Sequence, residues 1–175
     1  MIFQRSVKDI VVNNDTIEGV LLDNNEEIKS KYVLLAVGRE GSKWLNDIFE
    51  KRNIKMSQNQ VDIGVRVETS NLIMDEINQN LYEGKFVYRT SVGTTVRTFC
   101  SNPSGHVVME NYEGVVNVNG HSYNDAKLGS QNTNFALLVS HHFEEPFKKP
   151  NEYALKVSSL ANQLACGSVI VQRYG

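Results

Sequence analysis

The 175-residue chain has only two cysteines, three prolines and no apolar run longer than YVLLAVG. Cys100 and Cys166 stand apart from each other and from any Cys/His cluster, so neither a disulfide framework nor a zinc site is indicated. A bilayer span needs about 20 apolar residues, and the opening MIFQRSVKDI lacks the basic start and apolar core of a signal peptide. We therefore expect a cytoplasmic protein with no membrane partner, in which both cysteines are small buried residues.

An excess of basic residues is also lacking, since 18 Lys and Arg side chains are balanced by 20 Asp and Glu, giving a net charge of -2. No basic run is interleaved with aromatic residues, which argues against nucleic acid as a partner. A G-x-x-x-x-G-K-[ST] phosphate loop is missing, and GREG supplies only two glycines of a G-x-G-x-x-G motif. The 41% hydrophobic content is nevertheless sufficient for a substantial core.

Residues 1–54 read as one unit that is rich in strands. SVKDIVV and TIEGVLLD are separated by the turn NNDT, which predicts a small antiparallel meander. The next segment, Tyr32 to Val37, is apolar at every position, so we expect a strand that is covered on both faces and is not an edge. KWLNDIFEKR follows with an apolar helical face.

Residues 55–175 form a second predicted unit, made mostly of antiparallel strands. Strand-like segments are VDIGVRVET, KFVYRT, TTVRTFCS, GHVVMEN, GVVNVNG and NFALLVSHHF, whereas NLIMDEINQ and PNEYALKVSSLANQLA predict helices. NPSG and NVNG are interpreted as turn clusters. The predicted fold class is α+β: a meander, an apolar strand and a helix, followed by a mostly antiparallel sheet with a few helices.

Few side chains point to a specific chemistry. Arg66 and Arg97 are single charges in strand-like sequence, and each could bind an anion or pair with a carboxylate on the solvated face. His121 lies in the polar stretch NGHS after an apolar strand. Cys100 has no neighbouring base or second thiol to lower its pKa. No catalytic triad or carboxylate pair can be assembled from the spacing, which argues against a self-sufficient hydrolase.

Several segments resemble a known family. SVKDIVVNNDTIEGVLLDNNEEIKSKYVLLAVGREGSKWL resembles the middle of a flavoprotein with two dinucleotide-binding domains. VDIGVRVET, VRTFCSNPSGHVV and VVNVNGHSY are similar to a bacterial group of uncharacterised FAD-dependent dehydrogenases, and the similarity continues through NTNFALLVSHHF to VQRYG. The group is expected to have FCMCPGG where this chain has FCSNPSG, so Asn102 replaces a second thiol.

The resemblance implies an FAD-dependent oxidoreductase, with NAD(P)H as a candidate electron donor. It places Val7, Ala36, Val37 and Gly38 against FAD, with Gly38 allowing close approach of the backbone. It assigns residues 1–54 to a remnant of the FAD-binding domain and residues 55–175 to the substrate-binding domain. The substrate-facing candidates are Arg66, Arg97, Cys100, Asn119, His121 and Ser122, and no metal is expected.

The Gly-rich pyrophosphate turn of that family and its closing segment do not occur in the sequence. We therefore expect an internal fragment that does not retain FAD and is inactive in isolation, and the small-molecule substrate stays open. An alternative from another class is a non-catalytic binding or assembly domain. It would form homo-oligomers through the apolar strand if that strand lacked its neighbours.

Overall fold

The computed structural model describes residues 1–57, 59–144, 146 and 149–174. Contacts along the chain divide it into two compact units, Met1–Ser57 and Gln58–Gly175. None of the helices among the described residues is long and apolar enough to cross a membrane.

The first unit contains a three-stranded antiparallel meander of β1 (Val7–Asn13), β2 (Thr16–Leu22) and β3 (Glu27–Lys29), in that order across the sheet. Asn14 and Asp15 join the first two strands with φ angles of 46° and 59°. A two-residue hairpin turn whose twist matches the strands requires positive φ at both positions, and Asn and Asp tolerate it. The predicted meander is therefore confirmed.

Helix α1 (Ser42–Lys51) follows the meander and packs against it. The indole Nε1 of Trp44 donates a hydrogen bond to the carbonyl oxygen of Lys8 at 3.1 Å. Ile10, Leu22 and Ile48 are each no more than 5% exposed and form the buried apolar centre of this unit.

The segment from Tyr32 to Val37 is not the buried strand that its composition predicts. It belongs to no sheet, and Tyr32 and Leu34 are 89% and 92% exposed. An all-apolar strand is buried when strands pair along both of its edges and helices cover its faces. Within residues 1–57 the three meander strands pair only among themselves, so this segment has no strand beside it.

The second unit is built on a four-stranded antiparallel sheet of β4 (Val61–Ser70), β9 (Asn132–His141), β6 (Thr95–Asn102) and β5 (Val87–Arg89), in that order. Its central strand β9 pairs with β4 over ten residues and with β6 on its other side. All strand pairs in the described part of the chain are antiparallel, which confirms the α+β fold class. The other elements are α2 (Asn71–Asn80), β7 (His106–Tyr112), β8 (Val115–His121) and α3 (Pro150–Leu164).

Both helices of this unit lie where the sequence predicts them. The Ser70 hydroxyl caps α2 by accepting the Leu72 N–H at 3.3 Å. Asn78 Nδ2 of the same helix donates to Thr133 Oγ1 at 2.9 Å, and Met74 is buried. Helix α2 is thus tied to the central strand by the hydrogen bond from Asn78 to Thr133.

Helix α3 buries an asparagine more fully than any of its leucines. Leu160 and Leu164 are 60% and 80% exposed, whereas Asn162 is 9% exposed. The Asn162 side chain accepts the Val116 N–H at 2.7 Å and donates to the carbonyls of Val116 at 2.9 Å and Ser168 at 2.8 Å. A buried amide therefore joins α3 to β8.

Strands β7 and β8 form a separate two-stranded hairpin. Its turn is at Glu113 and Gly114, which both have positive φ. NVNG, predicted as a turn cluster, instead lies inside β8, so that prediction is wrong. His121 consequently ends a strand and is paired across the hairpin with His106.

Candidate functional site

Strand β6 is interrupted by a bulge, and this irregularity creates the candidate site. Its pairing with β9 shifts register between Phe99 and Asn102. Cys100, inside the bulge, has φ of 45°, a conformation that costs a non-glycine residue about 1–2 kcal/mol. Hydrogen bonds hold it there: its N–H donates to Glu83 Oε1 at 2.8 Å, and its carbonyl accepts Asn102 Nδ2 at 2.7 Å. The thiol of Cys100 is exposed.

The guanidinium of Arg66, on β4, contacts the same bulge across the central strand β9. Its Nη2 donates to the Cys100 carbonyl at 2.8 Å. Nε and Nη2 also donate to Oδ1 of Asn134, at 2.9 and 2.7 Å. Arg66 is opposite Ala136, two residues along β9 from Asn134, so both side chains lie on one face of the sheet. Arg66, Cys100, Asn102, Gly120 and Asn134 are called the Arg66 site below.

The charge on Arg66 has no carboxylate partner among the residues that the structure describes. Burial lowers the pKa of its guanidinium, and the neighbouring Cys100 acts in the opposite direction. Asn134 is fully buried, and its Nδ2 has no hydrogen-bond partner in the described structure. The Arg66 site therefore combines a partly desolvated positive charge with more donors than acceptors.

Gly120 on β8 is required by the close packing of the hairpin on this face. A Cβ at position 120 would overlap Arg66 Nη2 and Asn134 Oδ1, and would lie 2.5 Å from Asn102 Nδ2. Any side chain here would displace the guanidinium. Gly120 is therefore needed for the close packing of β8 against Arg66 and Asn134, and it does not form a turn.

Three other sequence candidates lie at the same end of the β7–β8 hairpin, where they make local contacts. Asn119 Nδ2 donates to Glu110 Oε1 at 2.9 Å, and Asn119 Oδ1 accepts the Gly120 N–H at 2.8 Å. His121 Nε2 is 3.8 Å from the same Glu110 oxygen. The Ser122 hydroxyl donates to the Pro103 carbonyl at 3.4 Å. Asn119 thus positions the backbone that carries Gly120.

Arg97 shares a face of the sheet with Arg66 but has a different environment. It is opposite Leu138, two residues from Ala136 on β9. Its Nη2 is 3.6 Å from Asp62 Oδ2, and the guanidinium lies 3.9 Å from the centre of the Phe99 ring. Of the two interpretations open for each arginine, the carboxylate pair describes Arg97, and only Arg66 keeps an uncompensated charge.

The expectation that both cysteines are buried is wrong, because Cys100 and Cys166 are both exposed and free. Each has positive φ, 45° for Cys100 and 52° for Cys166. Cys100 belongs to a bulge, and Cys166 follows the end of α3. A bulge changes the direction in which a strand side chain points, and Cys166 lies beyond the last helical residue, so neither side chain is held in a packed face.

The four candidates for binding the cofactor all lie in the first unit. Val7 begins β1, is 38% exposed and pairs with Leu22. Ala36 is exposed and Val37 is half-buried in the extended segment before α1. Gly38 has φ of 63°, and no atom lies within 4 Å of where its Cβ would be. Its backbone is therefore open to close approach by another group.

Sequence reasoning missed Asn134 and Glu83, noted Asn102 only as the replacement of a second thiol, and misread Gly120. Asn134 was available as a polar residue on the apolar strand NTNFALLVSHHF. Its significance depends on the register that sets it beside Arg66, 68 positions earlier in the chain. No cluster of three His, Cys, Asp or Glu side chains suited to a metal ion occurs in the part of the chain that the structure describes.

Comparison of the chain with protein-family models gives no match, and comparison with curated proteins gives none either.

Proposed function

We propose that this chain is part of an FAD-dependent oxidoreductase and that its second unit binds the substrate. The proposal rests on which segments of the sequence supply the residues of the Arg66 site. VDIGVRVET contributes Arg66, VRTFCSNPSGHVV contributes Cys100 and Asn102, and VVNVNGHSY contributes Gly120. These are the three segments that resemble FAD-dependent dehydrogenases, and the fold brings them into contact at one polar site.

In this proposal FAD supplies the hydride chemistry, with NAD(P)H as the candidate electron donor. The protein binds and orients the substrate. The Arg66 charge is the only fixed positive charge within the Arg66 site, and three hydrogen bonds to Asn134 and Cys100 hold it in place. Such a preorganised donor is suited to positioning a polar substrate group.

Ala36, Val37 and Gly38 are residues of the first unit proposed to contact FAD, together with Val7 of the meander. The fit of Gly38 is favourable, because its positive φ and open surroundings leave its backbone accessible. The sequence has no G-x-G-x-x-G motif to hold the pyrophosphate. We therefore expect the isolated chain to bind flavin weakly and to be inactive.

A test begins with the visible spectrum of the purified chain, which should show no flavin. The chain is then co-expressed with the adjacent upstream coding sequence, which the proposal requires to encode a strand followed by G-x-G-x-x-G. Flavin should copurify with the pair, and Gly38→Val should reduce its occupancy. Gly93→Val is the matched control, since Gly93 also has positive φ and open space but lies in the second unit.

Stoichiometric, tightly held flavin on the chain alone would contradict the incomplete cofactor site. An upstream sequence without the Gly-rich motif would contradict the flavoprotein proposal itself. Equal flavin loss in the Gly38 and Gly93 variants would remove Gly38 from the cofactor site.

A second function, assembly through an exposed strand, is favoured by the segment from Tyr32 to Val37. This segment belongs to no sheet, and Tyr32 and Leu34 are almost fully exposed. Exposed apolar segments of this kind pair with other chains. Light scattering across a concentration series should then show association that Leu34→Lys weakens. Leu72→Lys, at an equally exposed leucine of α2, is the control, and a monomer at every concentration would exclude this function.

We further propose that the protein acts in the cytoplasm. Its two exposed free thiols are compatible with a reducing compartment.

A further inference from the structure

We propose that the Arg66 site binds a carboxylate group of the substrate. The inference deepens the proposed function, on which it rests, by naming a chemical class for the substrate. Its basis is the imbalance of charge and hydrogen-bond donors around Arg66.

The guanidinium has two donors left after its contacts with the protein. Arginine carries five N–H groups. Nε–H and both N–H groups of Nη2 account for the three hydrogen bonds to Asn134 Oδ1 and the Cys100 carbonyl. Nη1 has no partner among the described residues, and it is not a buried atom. Its two N–H groups are therefore available to an acceptor from solvent.

The electrostatic environment of Arg66 also favours a bound anion. A partly buried charge costs free energy unless an opposite charge accompanies it, and the residues that hold Arg66 are a neutral amide and a backbone carbonyl. Glu83, the carboxylate that binds the bulge, accepts the Cys100 N–H and lies 3.8 Å from Lys85 Nζ. Glu68, on the same face of β4 as Arg66, accepts Asn132 Nδ2 at 2.9 Å. Arg66 therefore lacks the partner that Arg97 has in Asp62.

Asn134 gives independent support for a missing acceptor. It is fully buried, and its Nδ2 has no hydrogen bond in the described structure, although its Oδ1 accepts two. Buried polar atoms without partners are rare and call for an explanation such as an absent ligand or ion. Asn134 thus has an unsatisfied donor on the same amide whose oxygen binds Arg66; the buried Nε atoms of Arg52 and Arg97 also lack partners in the described structure.

A carboxylate fits this site better than a phosphate. One guanidinium carries a single positive charge, which matches the single negative charge of a carboxylate, and an N–H of Nη1 can donate to one carboxylate oxygen. A phosphate monoester carries about -1.5 to -2 charges and three strong acceptor oxygens. The second arginine on this face, Arg97, is already paired with Asp62 and does not supply the extra charge.

The direct test is NMR titration of the Arg66 Nε–Hε signal in the unmodified chain. Acetate and benzoate are the carboxylate probes, and inorganic phosphate is titrated at the same ionic strength. We expect saturable shifts of this signal with the carboxylates and weaker binding of phosphate. An unchanged Arg66 signal would overturn the inference, and tighter binding of phosphate would overturn the choice of carboxylate.

Variants make the test specific to the site. Arg66→Gln should weaken carboxylate binding at least tenfold. Arg89→Gln, which removes the same charge from the exposed strand β5, should leave the affinity within twofold. Equal binding by the Arg66 variant and the unmodified chain would overturn the inference.

Asn134→Asp is a second variant, with almost the same shape as the original residue. It would place a permanent carboxylate at the position of Oδ1, against Arg66. Circular dichroism should show a folded protein, and carboxylate binding should be lost because the guanidinium is already neutralised. Undiminished binding by folded Asn134→Asp would contradict the role of the uncompensated charge.

These measurements need no flavin, so they separate the two proposals. Carboxylate binding without any flavin association in the co-expression experiment would retain the Arg66 site and reject the flavoprotein. Flavin association without carboxylate binding would reject only the present inference.

Discussion

Alanine at position 120 should disrupt the Arg66 site and destabilise the second unit. The added methyl group would overlap Arg66 Nη2 and Asn134 Oδ1 and would press on Asn102 Nδ2. Arg66 is the most adaptable of these side chains, because its guanidinium is the free end of a long chain. We therefore expect the guanidinium to swing towards solvent and give up its hydrogen bonds to Asn134 and Cys100.

The expected loss in the free energy of unfolding is about 2–4 kcal/mol. Hydrogen bonds to a charged group contribute about 1.5–3 kcal/mol, and a buried polar atom left without a partner costs about 1–3 kcal/mol. Asn134 is fully buried, so both polar atoms of its amide would then be unpaired. Solvation of the displaced guanidinium offsets part of the sum, which places the estimate below the full total.

Urea denaturation followed by circular dichroism measures this loss. Gly129→Ala is the matched control, since Gly129 has φ of -71° and its Cβ would come no closer than 3.2 Å to another atom. It should change stability by less than about 1 kcal/mol. In a double-mutant cycle with Arg66→Ala, the two changes should couple by about 1–2 kcal/mol, because both remove the same contacts.

The reasoning would be refuted if Gly120→Ala cost no more than Gly129→Ala, or if its effect were additive with that of Arg66→Ala. It would also fail if folded Gly120→Ala retained the unmodified affinity for benzoate. Each of these results would mean that the guanidinium is not held against β8.

Two further predictions concern other contacts. Asn162→Ala removes the amide that pairs with both backbone groups of Val116 and should cost about 2 kcal/mol in urea denaturation; an effect no larger than that of Gln163→Ala, at an exposed position of the same helix, would contradict it. Burial alone raises the pKa of Asp9, but hydrogen bonds from Arg52 and Lys51 lower it below its ordinary value. The carboxylate therefore stabilises the first unit above the unfolded pKa of about 3.9, and this contribution is lost as the pH falls through the lower folded value. When the urea midpoint is plotted against pH, Asp9→Asn should reduce the decrease at acidic pH. An unchanged decrease would count against the ion pair.

Most of the secondary structure could be predicted from local pattern. The meander, the predicted strands of the second unit and the helices α2 and α3 were all expected in nearly the positions where they occur. Alternation of side chains and turn residues is a local property, and it is sufficient to define such elements. The α+β class follows from the order of those elements.

Local pattern failed where the environment of a residue depends on distant neighbours. Tyr32 to Val37 is apolar but has no strand beside it, so composition alone gave the wrong burial. In α3 the buried position is Asn162, because its amide meets the backbone of a strand 46 residues earlier. Gly120 was assigned to a turn because glycine and asparagine commonly mark turns, whereas here it admits the guanidinium of Arg66.

Only some residues of the candidate site could be identified from the sequence. Arg66 and Cys100 were identified, but Arg97, His121 and Ser122 were grouped with them on equal terms. Register and hydrogen bonding separate them, since Arg97 has a carboxylate partner and Arg66 has none among the described residues. Asn134 was missed because a single asparagine on an apolar strand carries no signal of what it faces.

The sequence by itself determined most of the elements of this protein, its α+β class and the presence of a lone arginine in a strand, but not the unpaired segment from Tyr32 to Val37. These depend on interactions between residues close along the chain. Only the tertiary structure decided that Arg66 meets Cys100 and Asn134, which are 34 and 68 positions away. Strand register and a bulge fix that meeting, and they also determine which donors are left without acceptors.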